Sequence, residues 1–354
     1  MRLLDPATQA DAIEQAAQRL SEGGLVALPT ETVYGLGARA DDDAAVARIF
    51  MAKGRPSDHP LIVHVANAQA ALQFASAIPL VAQQLMERFW PGPLTVIVPR
   101  APGMAAASAG GQDTIGLRCP DHPVALQLLQ AAARLGVPGV AAPSANRFGR
   151  ISPTRADHVV DEFQDQGDGL DEVWVLQGGP CEVGIESTIV DCSRAHPVIL
   201  RPGRLSREVL EAAAGEPLGC ATPDAPDPDA PRASGTLEAH YAPRAKVRLM
   251  SEAQLSSALD LIEPELTVRA MVESASRQPP RIAVYSRSLW AHRPAGPGVV
   301  QRSMPADAIS AAHDLFADLR ELDALGVDLI WVEAPPADPA WDGVRDRLSR
   351  AAKA

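Results

Sequence analysis

The sequence predicts an α/β protein with two domains. The first has a twisted mixed sheet with helices, and the second is a smaller Rossmann-like open parallel sheet joined to it by an extended linker. At 354 residues the chain is longer than a single hydrophobic core usually supports. Apolar runs of strand length mix with helical segments in the first part, without strict alternation. The stretch PDAPDPDAPRASG, which cannot form a core, then precedes a regular βα rhythm. We therefore place the first domain at 1–212, the linker at 213–243 and the second domain at 244–354.

The elements of the first domain follow from periodicity and capping signals. Residues 6–22 have helical spacing that stops at a Gly-Gly pair, and 25–28 form a short buried strand before the turn-rich segment PTETVYGLG. Aspartates at 41–43 suit the positive start of a helix, and Lys53 suits its negative end. The other predicted strands are 61–65, 94–98, 114–118, 139–142, 172–177, 187–192 and 197–200, and the other predicted helices are 67–76, 79–89, 122–135 and 154–163.

The second domain alternates strongly apolar strands with amphipathic helices. This order predicts a small open sheet of parallel strands. Its predicted strands are 246–250, 281–285, 298–301 and 327–333, and its predicted helices are 252–276, 306–325 and 339–352.

Charge and composition argue against several classes of protein. The net charge is −12 and no basic tail or stripe is present, so gripping a nucleic-acid backbone is not the expected main activity, although a local cationic hollow remains compatible. No segment approaches the roughly 20 apolar residues of a membrane span, and we expect a cytoplasmic protein without a membrane partner. The four cysteines are far apart and lack a C-x-x-C pair, which favours reduced packing residues.

The loop KGRPSDHPLIVHV combines fixed positive charge with a stiff backbone. Lys53 is the only lysine before residue 246, and prolines at 56 and 60 restrict the loop that carries Arg55. Stiffening lowers the entropy lost when cations meet a ligand, so the loop favours anion binding over a solvated cation pair. His59 and His64 are candidates for binding or packing. A metal pair is disfavoured because positions five apart on a strand face opposite sides.

Other polar clusters lie beside apolar strands. In TIGLR, positions 114, 116 and 118 share one strand face, so Arg118 could clamp a carboxylate or phosphate, with an internal ion pair as the alternative. The segments PTETVY, APSAN and ISPT offer hydroxyl, amide and N–H donors, although capping and turn formation would also use them. The common phosphate loops and the H-E-x-x-H and G-x-S-x-G motifs are absent from the sequence.

Eight ordered motifs resemble one family. PTETVYGLG, KGRPSDHPLIVHV, WPGPLT, TIGLR, PSAN, SPT, ESTIVD and ILRPG closely resemble the YrdC-like family of threonylcarbamoyl-AMP synthases over about residues 10–210. The linker ending in HYAP at 240–243, followed by an α/β unit, resembles the long two-domain form. The resemblance implies a nucleotidyltransferase, an L-threonylcarbamoyladenylate synthase. It would join L-threonine, bicarbonate or CO2, and ATP with Mg²⁺ to give threonylcarbamoyl-adenylate and pyrophosphate.

The resemblance also implies the site residues, by motif position. Threonine would be held by Thr32, His64, Arg118, the backbone at Ala142, and Ser187. ATP would be held by Arg55, His59, Thr114, Ser144, Ser152, Arg201 and Tyr241. Lys53, Arg55, Ser144 and Asn146 would form the catalytic cradle, with no metal ligand among the protein side chains. His59 departs from the family, which commonly has asparagine there, so its contact could depend on pH.

Partners and alternatives follow from the same comparison. The product would pass to the tRNA threonylcarbamoyl transferase machinery for the N6-threonylcarbamoyladenosine modification of tRNA, and a weak direct contact with tRNA stays open. We expect the linker around His240-Tyr241 to close over the pocket, because carbamates decompose in water. One alternative is an RNA-binding module of the same fold without adenylate synthesis. Another is an enzyme that processes carbamoyl or acyl phosphates.

Overall fold

The protein is described here by a computed structural model covering residues 1–164, 172–221, 230–272, 282–296 and 298–354, with the backbone alone for 265–272. The chain forms two compact units. The first comprises residues 1–148 and 152–236, and the second comprises 149–151 and 237–354. Within the described ranges, no helix has both the length and the apolar character that a membrane crossing requires.

The first unit is built on a mixed sheet, as the sequence predicts. This sheet has eleven strands. The strands are β1 Arg2–Leu4, β2 Leu25–Leu28, β3 Gly35–Arg39, β4 Ile62–His64, β5 Leu94–Pro99, β6 Thr114–Arg118, β7 Val140–Ala141, β8 Val173–Leu176, β9 Thr188–Asp191, β10 Val198–Arg201 and β11 Gly219–Cys220. Their order across the sheet is β1-β8-β2-β3-β7-β4-β6-β5-β9-β10-β11. Its helices are α1 Ala12–Ser21, α2 Asp43–Lys53, α3 Ala68–Ala71, α4 Leu80–Phe89, α5 Pro123–Arg134, α6 Ala156–Phe163 and α7 Arg207–Ala214.

Helix α2 sets the position of the cationic loop. The Asp42 side chain accepts from the backbone N–H groups of Ala44 and Ala45 at its start. Gly54, at φ 62°, takes the left-handed conformation that ends the helix directly after Lys53. The predicted capping and the predicted end of this helix are confirmed, and they fix where the Lys53 and Arg55 side chains begin.

Several local elements differ from the sequence prediction. The second half of PTETVYGLG is strand β3, paired antiparallel with β2. Its Gly37 is required by close packing, since a Cβ there would lie 2.8 Å from side-chain atoms of Leu28 and Val140. Helix α1 begins later than predicted because Asp5 organises a turn before it. The predicted helix at 67–76 is one turn long, and β1, α7 and β11 were not predicted.

The second unit contains the predicted parallel sheet of four strands. The strands are β12 Lys246–Met250, β13 Ile282–Ser286, β14 Val299–Ser303 and β15 Leu329–Glu333, in the order β12-β15-β13-β14. The helices are α8 Glu252–Val272, α9 Ala308–Ala324 and α10 Asp342–Ala351. Residues 273–276 of the predicted helix at 252–276 and residue 281 of the predicted strand at 281–285 lie outside the described residues.

Candidate active site

Three segments of the first unit are bonded to one another through the backbone. The N–H of Tyr34, in the loop after β2, donates to the carbonyl of Pro153 at 2.9 Å. Ala145 N–H donates to the carbonyl of Tyr34 at 2.8 Å, and Leu36 N–H donates to Pro143 at 2.7 Å. The segments PTETVY, APSAN and ISPT, which are separate in sequence, therefore form one continuous wall.

Lys53 joins the cationic loop to this wall. Its Nζ donates to the backbone carbonyl of Ser144 at 2.6 Å and to that of Asn146. The side chain is fully enclosed, and burial together with the neighbouring Arg55 cation holds the pKa of Lys53 well below its ordinary value. Two of its three donors are committed to carbonyls, which aims the third along a fixed direction. The structure thus brings together all four residues of the predicted catalytic cradle.

Arg55 is positioned by the same loop. Its Nη2 donates to the carbonyl of Pro60 at 3.0 Å, and its guanidinium lies 5.8 Å from the ring centroid of Phe148. His59 is half-buried, with its ring 5.5 Å from the same phenylalanine. Burial and the Arg55 cation lower the pKa of His59. His59 is therefore a neutral neighbour of a fixed cation near pH 7.

Arg118 forms a buried ion pair with a residue that the sequence prediction did not select. Its Nη2 lies 2.6 Å from Oε1 of Glu31, and its Nε donates to the carbonyl of Gly92 at 3.3 Å. Both charged side chains are about 95% buried, at 4% and 5% exposure. The internal ion pair left open by the sequence is present, and it places Arg118 beside the loop that carries Thr32. Thr32 is fully buried, and its hydroxyl contacts that of Thr30 at 2.9 Å.

His64 lies opposite Arg118 across the paired strands β4 and β6. Complete burial, and then the Arg118 cation, lowers the pKa of His64 to about 3. A neutral imidazole can both donate and accept a hydrogen bond, which suits a hydroxyl ligand. The neighbouring Ala142 donates its N–H to the carbonyl of Ile62, so a ligand contact there would use the Ala142 carbonyl.

Ser187 joins a second cation to the sheet. Its hydroxyl contacts that of Thr95 at 2.7 Å and accepts from Nη2 of Arg201 at 3.1 Å. Arg201 also donates to the carbonyls of Ser187, at 3.0 Å, and Ser234, at 2.8 Å. Ser152 donates to the carboxylate of Glu186, one residue before Ser187. Ser152 is thus connected through Glu186 to the neighbouring Ser187, which in turn is bonded to Arg201.

A cavity lies over the same face of the sheet. It is a half-open cleft of about 230 Å³, part of which is open to solvent, and Gly116 leaves room for it between Thr114 and Arg118 on β6. Its lining residues are Pro60, Leu61, Ile62, Thr95, Ile97, Gly116, Ile189, Arg232, Ala233 and Ser234. Arg232 pairs with Asp58 at 3.0 Å and donates to the Gly110 carbonyl at 2.9 Å. Linker residues of the first unit thus cover an otherwise apolar sheet surface.

Tyr241 belongs to the second unit. Its side chain is 1% exposed and its backbone has a φ of 63°, a conformation that non-glycine residues rarely adopt. Within that unit its ring lies 5.4 Å from the ring of Phe316 and 5.4 Å from the guanidinium of Arg347. The ring orientation of this predicted ATP-binding residue is therefore set by packing against α9 and α10.

Sequence reasoning missed three buried polar residues of the site. Glu31, Thr95 and Glu186 contact Arg118, Ser187 and Ser152 respectively. Each stands inside a quoted motif, PTETVY, WPGPLT or ESTIVD, so a charged or hydroxyl residue next to a buried strand was an available signal. Among the described residues, no group of three or more His, Cys, Asp or Glu side chains is placed to hold a metal ion.

The chain is similar to known proteins along nearly its whole length. A family described as "Telomere recombination" matches residues 18–203, and one described as "Threonylcarbamoyl-AMP synthase, C-terminal domain" matches 205–353. A threonylcarbamoyl-AMP synthase from Pyrococcus abyssi is 38% identical, covering 96% of this chain and 93% of the relative. One from Bacillus subtilis is 36% identical, covering 96% and 92%. The crystal structure of P. abyssi Sua5 complexed with L-threonine is 35% identical with a TM-score of 0.82, covering 99% of this chain and 97% of the other.

Proposed function

The chain belongs to the threonylcarbamoyl-AMP synthase family of nucleotidyltransferase enzymes, and from this premise we propose that it makes threonylcarbamoyl-adenylate. The substrates are L-threonine, bicarbonate or CO2, and ATP, and the second product is pyrophosphate. The observation that carries this proposal is the Lys53 side chain bonded to the Ser144 and Asn146 carbonyls beside Arg55. Lys53 and Arg55 thus form a rigid cationic wall in a protein of net charge −12. A relative that binds L-threonine supports the second substrate.

The chemistry requires two anions to meet. The carbamate formed from the threonine amine attacks the α-phosphorus through an oxygen, and the bond from that phosphorus to the bridging oxygen breaks to release pyrophosphate. Arg55 and the third Lys53 donor face the charge that develops, and both are held in place by internal carbonyls. Preorganised donors of this kind avoid reorganisation during the reaction, which is the main source of acceleration in phosphoryl chemistry.

Threonine recognition falls to the residues around β4 and β6. Arg118 would bind the carboxylate, while the neutral imidazole of His64 and the hydroxyl of Thr32 would bind the threonine hydroxyl. Ser187 and the Ala142 carbonyl would complete the pocket. ATP would use Arg55, His59, Thr114, Ser144, Ser152 and Arg201. Mg²⁺ would enter on the ATP phosphates.

We place the product in a cytoplasmic pathway of tRNA modification. A mixed anhydride of a carbamate and a phosphate hydrolyses readily, so a transferase must consume it soon after release. The tRNA threonylcarbamoyl transferase machinery is the partner that the family implies.

The test is pyrophosphate release from ATP, measured with and without L-threonine and bicarbonate, with the nucleotide product identified by mass spectrometry. We expect release only with all three substrates, together with a threonylcarbamoyl-adenylate peak. Release that needs carbamoyl phosphate and not threonine would replace the proposal with carbamoyl-phosphate processing. Salt-sensitive RNA binding without turnover would replace it with an RNA-binding module.

A second test addresses the linker at 236–243, which we propose closes over the nucleotide through Tyr241. Deleting these residues should weaken ATP binding in isothermal calorimetry by at least tenfold while leaving threonine binding within about threefold. The control is a variant with the same eight positions replaced by a Gly/Ser segment, which keeps the connection and removes Tyr241. Unchanged ATP affinity in both variants would contradict the proposed closure.

A further inference from the structure

The ion pair between Glu31 and Arg118 leaves polar atoms without hydrogen bonds. The Nη2–Oε1 contact of 2.6 Å lacks hydrogen-bond geometry, and neither carboxylate oxygen of Glu31 has a hydrogen-bond partner. Nη2 of Arg118 is likewise buried without one. Almost all buried polar atoms in native proteins are paired. Nη2 of Arg118 and Oε1 of Glu31 are paired with each other as ions, whereas the second carboxylate oxygen of Glu31, Oε2, is buried with no hydrogen-bond partner.

Leaving such atoms unpaired is costly. A buried group that lacks its hydrogen bonds keeps the full desolvation penalty, which is larger for a charged group. A ligand that carries a donor and an acceptor side by side would satisfy both side chains at once. An α-amino acid has this arrangement, because its ammonium and carboxylate groups flank one carbon and lie about 3 Å apart.

We infer that Glu31 binds the α-ammonium group of the amino-acid substrate while Arg118 binds its carboxylate. The inference rests on the proposed function and adds a specificity-determining residue to it. The two side chains and the zwitterion then form a ring of alternating charges, in which each group faces two groups of opposite sign. Once the ammonium has released one proton to solvent, the neutral amine held through its remaining N–H groups presents its lone pair in a fixed direction to the carbon that it attacks. The site selects α-amino acids over α-hydroxy acids of the same shape.

The surroundings of Glu31 strengthen the selection for a cation. Besides Arg118 on β6, the ionisable groups that interact with it come from the segment after β6 and from the segment before β9. They are Cys119, Asp121, His122 and Cys181. Asp121 is an exposed acid near the enclosed pair, and the exposed Glu182 lies near Asp121, so carboxylates are in excess around Arg118. An ammonium group gains a full charge–charge attraction from the negative potential here, whereas a neutral hydroxyl gains only a hydrogen bond.

The experiment compares two ligands that differ at the α-position. Isothermal calorimetry measures the binding of L-threonine and of (2S,3R)-2,3-dihydroxybutyrate, its α-hydroxy analogue, to the full chain and to Glu31→Gln. We expect the unsubstituted protein to bind threonine at least tenfold more tightly than the hydroxy acid. In Glu31→Gln this preference should fall at least tenfold, and the affinity for the hydroxy acid should stay level or rise, because a carboxylate has been removed next to an anionic ligand.

Two further variants separate recognition from support of Arg118. Asp121→Asn removes an exposed acid of the same surroundings and should keep the preference within about threefold. Glu31→Asp retains the charge on a shorter side chain and should keep part of the preference, which provides the test if Glu31→Gln does not fold. Equal losses for both ligands in the Glu31 variants would mean that Glu31 only holds Arg118, and would overturn the inference. Threonine binding without preference in the unsubstituted protein would overturn it directly, whereas absence of any threonine binding would remove the proposed function as well.

Discussion

His64 should remain neutral far into acid, and folding should depend on that neutrality. Burial and Arg118 lower its pKa to about 3 in the folded chain, against an ordinary value of about 6.5 that applies to the unfolded chain. Between these two pKa values, His64 therefore binds a proton in the unfolded chain but not in the folded chain. The stability linked to His64 is complete above about pH 6.5 and is lost as the pH falls toward about 3. The loss is about 1 kcal/mol at pH 5.5 and about 3 kcal/mol at pH 4.5.

The perturbation is His64→Asn, which replaces the imidazole with an amide that does not titrate. Proton NMR of the histidine Hε1 resonances, assigned by loss of a peak in the variant, should show His64 only about 1% protonated at pH 5. Urea unfolding is followed by hydrogen exchange and mass spectrometry in peptides from 94–118, so that the first unit is observed by itself. The stability advantage of the unsubstituted protein over the variant should shrink by the amounts above as the pH falls from 7.5 to 4.5.

An exposed histidine supplies the control. His196→Asn should leave the difference between pH 7.5 and pH 4.5 unchanged, because that side chain is exposed in the folded chain. An Hε1 titration midpoint near 6.5 for His64 would refute the reasoning, as would a variant that loses as much stability in acid as the unsubstituted protein. Either result would mean that water or a carboxylate reaches the imidazole.

The remaining predictions concern the cations Arg118 and Lys53, and His59, which stands where the family commonly has asparagine. Arg118→Ala should destabilise folding by about 3–5 kcal/mol in urea titrations, because it leaves the Glu31 charge buried alone, and the double variant with Glu31→Gln should recover part of the loss. In the fraction that folds, the KM for threonine should rise far more than that for ATP, and equal rises would contradict the assigned role. Lys53→Met should lower the turnover of pyrophosphate release about a hundredfold, whereas the control Lys353→Met should not lower it. Full turnover in Lys53→Met would mean that the Lys53 side chain takes no part in the reaction. His59→Asn should match the unsubstituted protein within about threefold in KM for ATP at pH 7.5, because the lowered pKa of His59 keeps it neutral there, and the two should diverge only in acid.

The fold was largely predictable because its signals are local. Short apolar runs, the Asp42 cap and the left-handed Gly54 are written within a few residues of the elements that they define. The sequence mispredicted the places where packing decides the meaning of a residue. Gly37 looks like a turn residue in PTETVYGLG, yet its role is to let β3 approach Leu28 and Val140. Whether a glycine serves a turn or a close contact depends on strands that are distant in the chain.

The proximity of some candidate site residues was predictable, whereas their internal partners were less so. The motifs placed Lys53, Ser144 and Asn146 in one cradle, and the structure shows them bonded. That Arg118 meets Glu31 could not be read from periodicity, because a strand-face argument fixes the direction of a side chain and not the residue that it reaches. The sequence could state the ion pair only as an alternative.

The internal partners of the cations change the account of how an acidic protein binds anions. Sequence reasoning predicted fixed positive charge that opposes the net charge of −12. In the structure Lys53 and Arg55 donate to carbonyls, and Arg201 donates to carbonyls and a hydroxyl, all of which are neutral acceptors. Dipoles orient these cations without cancelling their charge. Arg118 is paired with a carboxylate, and the inferred ligand there is a zwitterion. The anion beside Arg118 thus suits the ammonium group of the inferred amino-acid ligand, whereas the carbonyls that hold Lys53 and Arg55 add no charge opposed to the proposed polyanionic ligand, ATP.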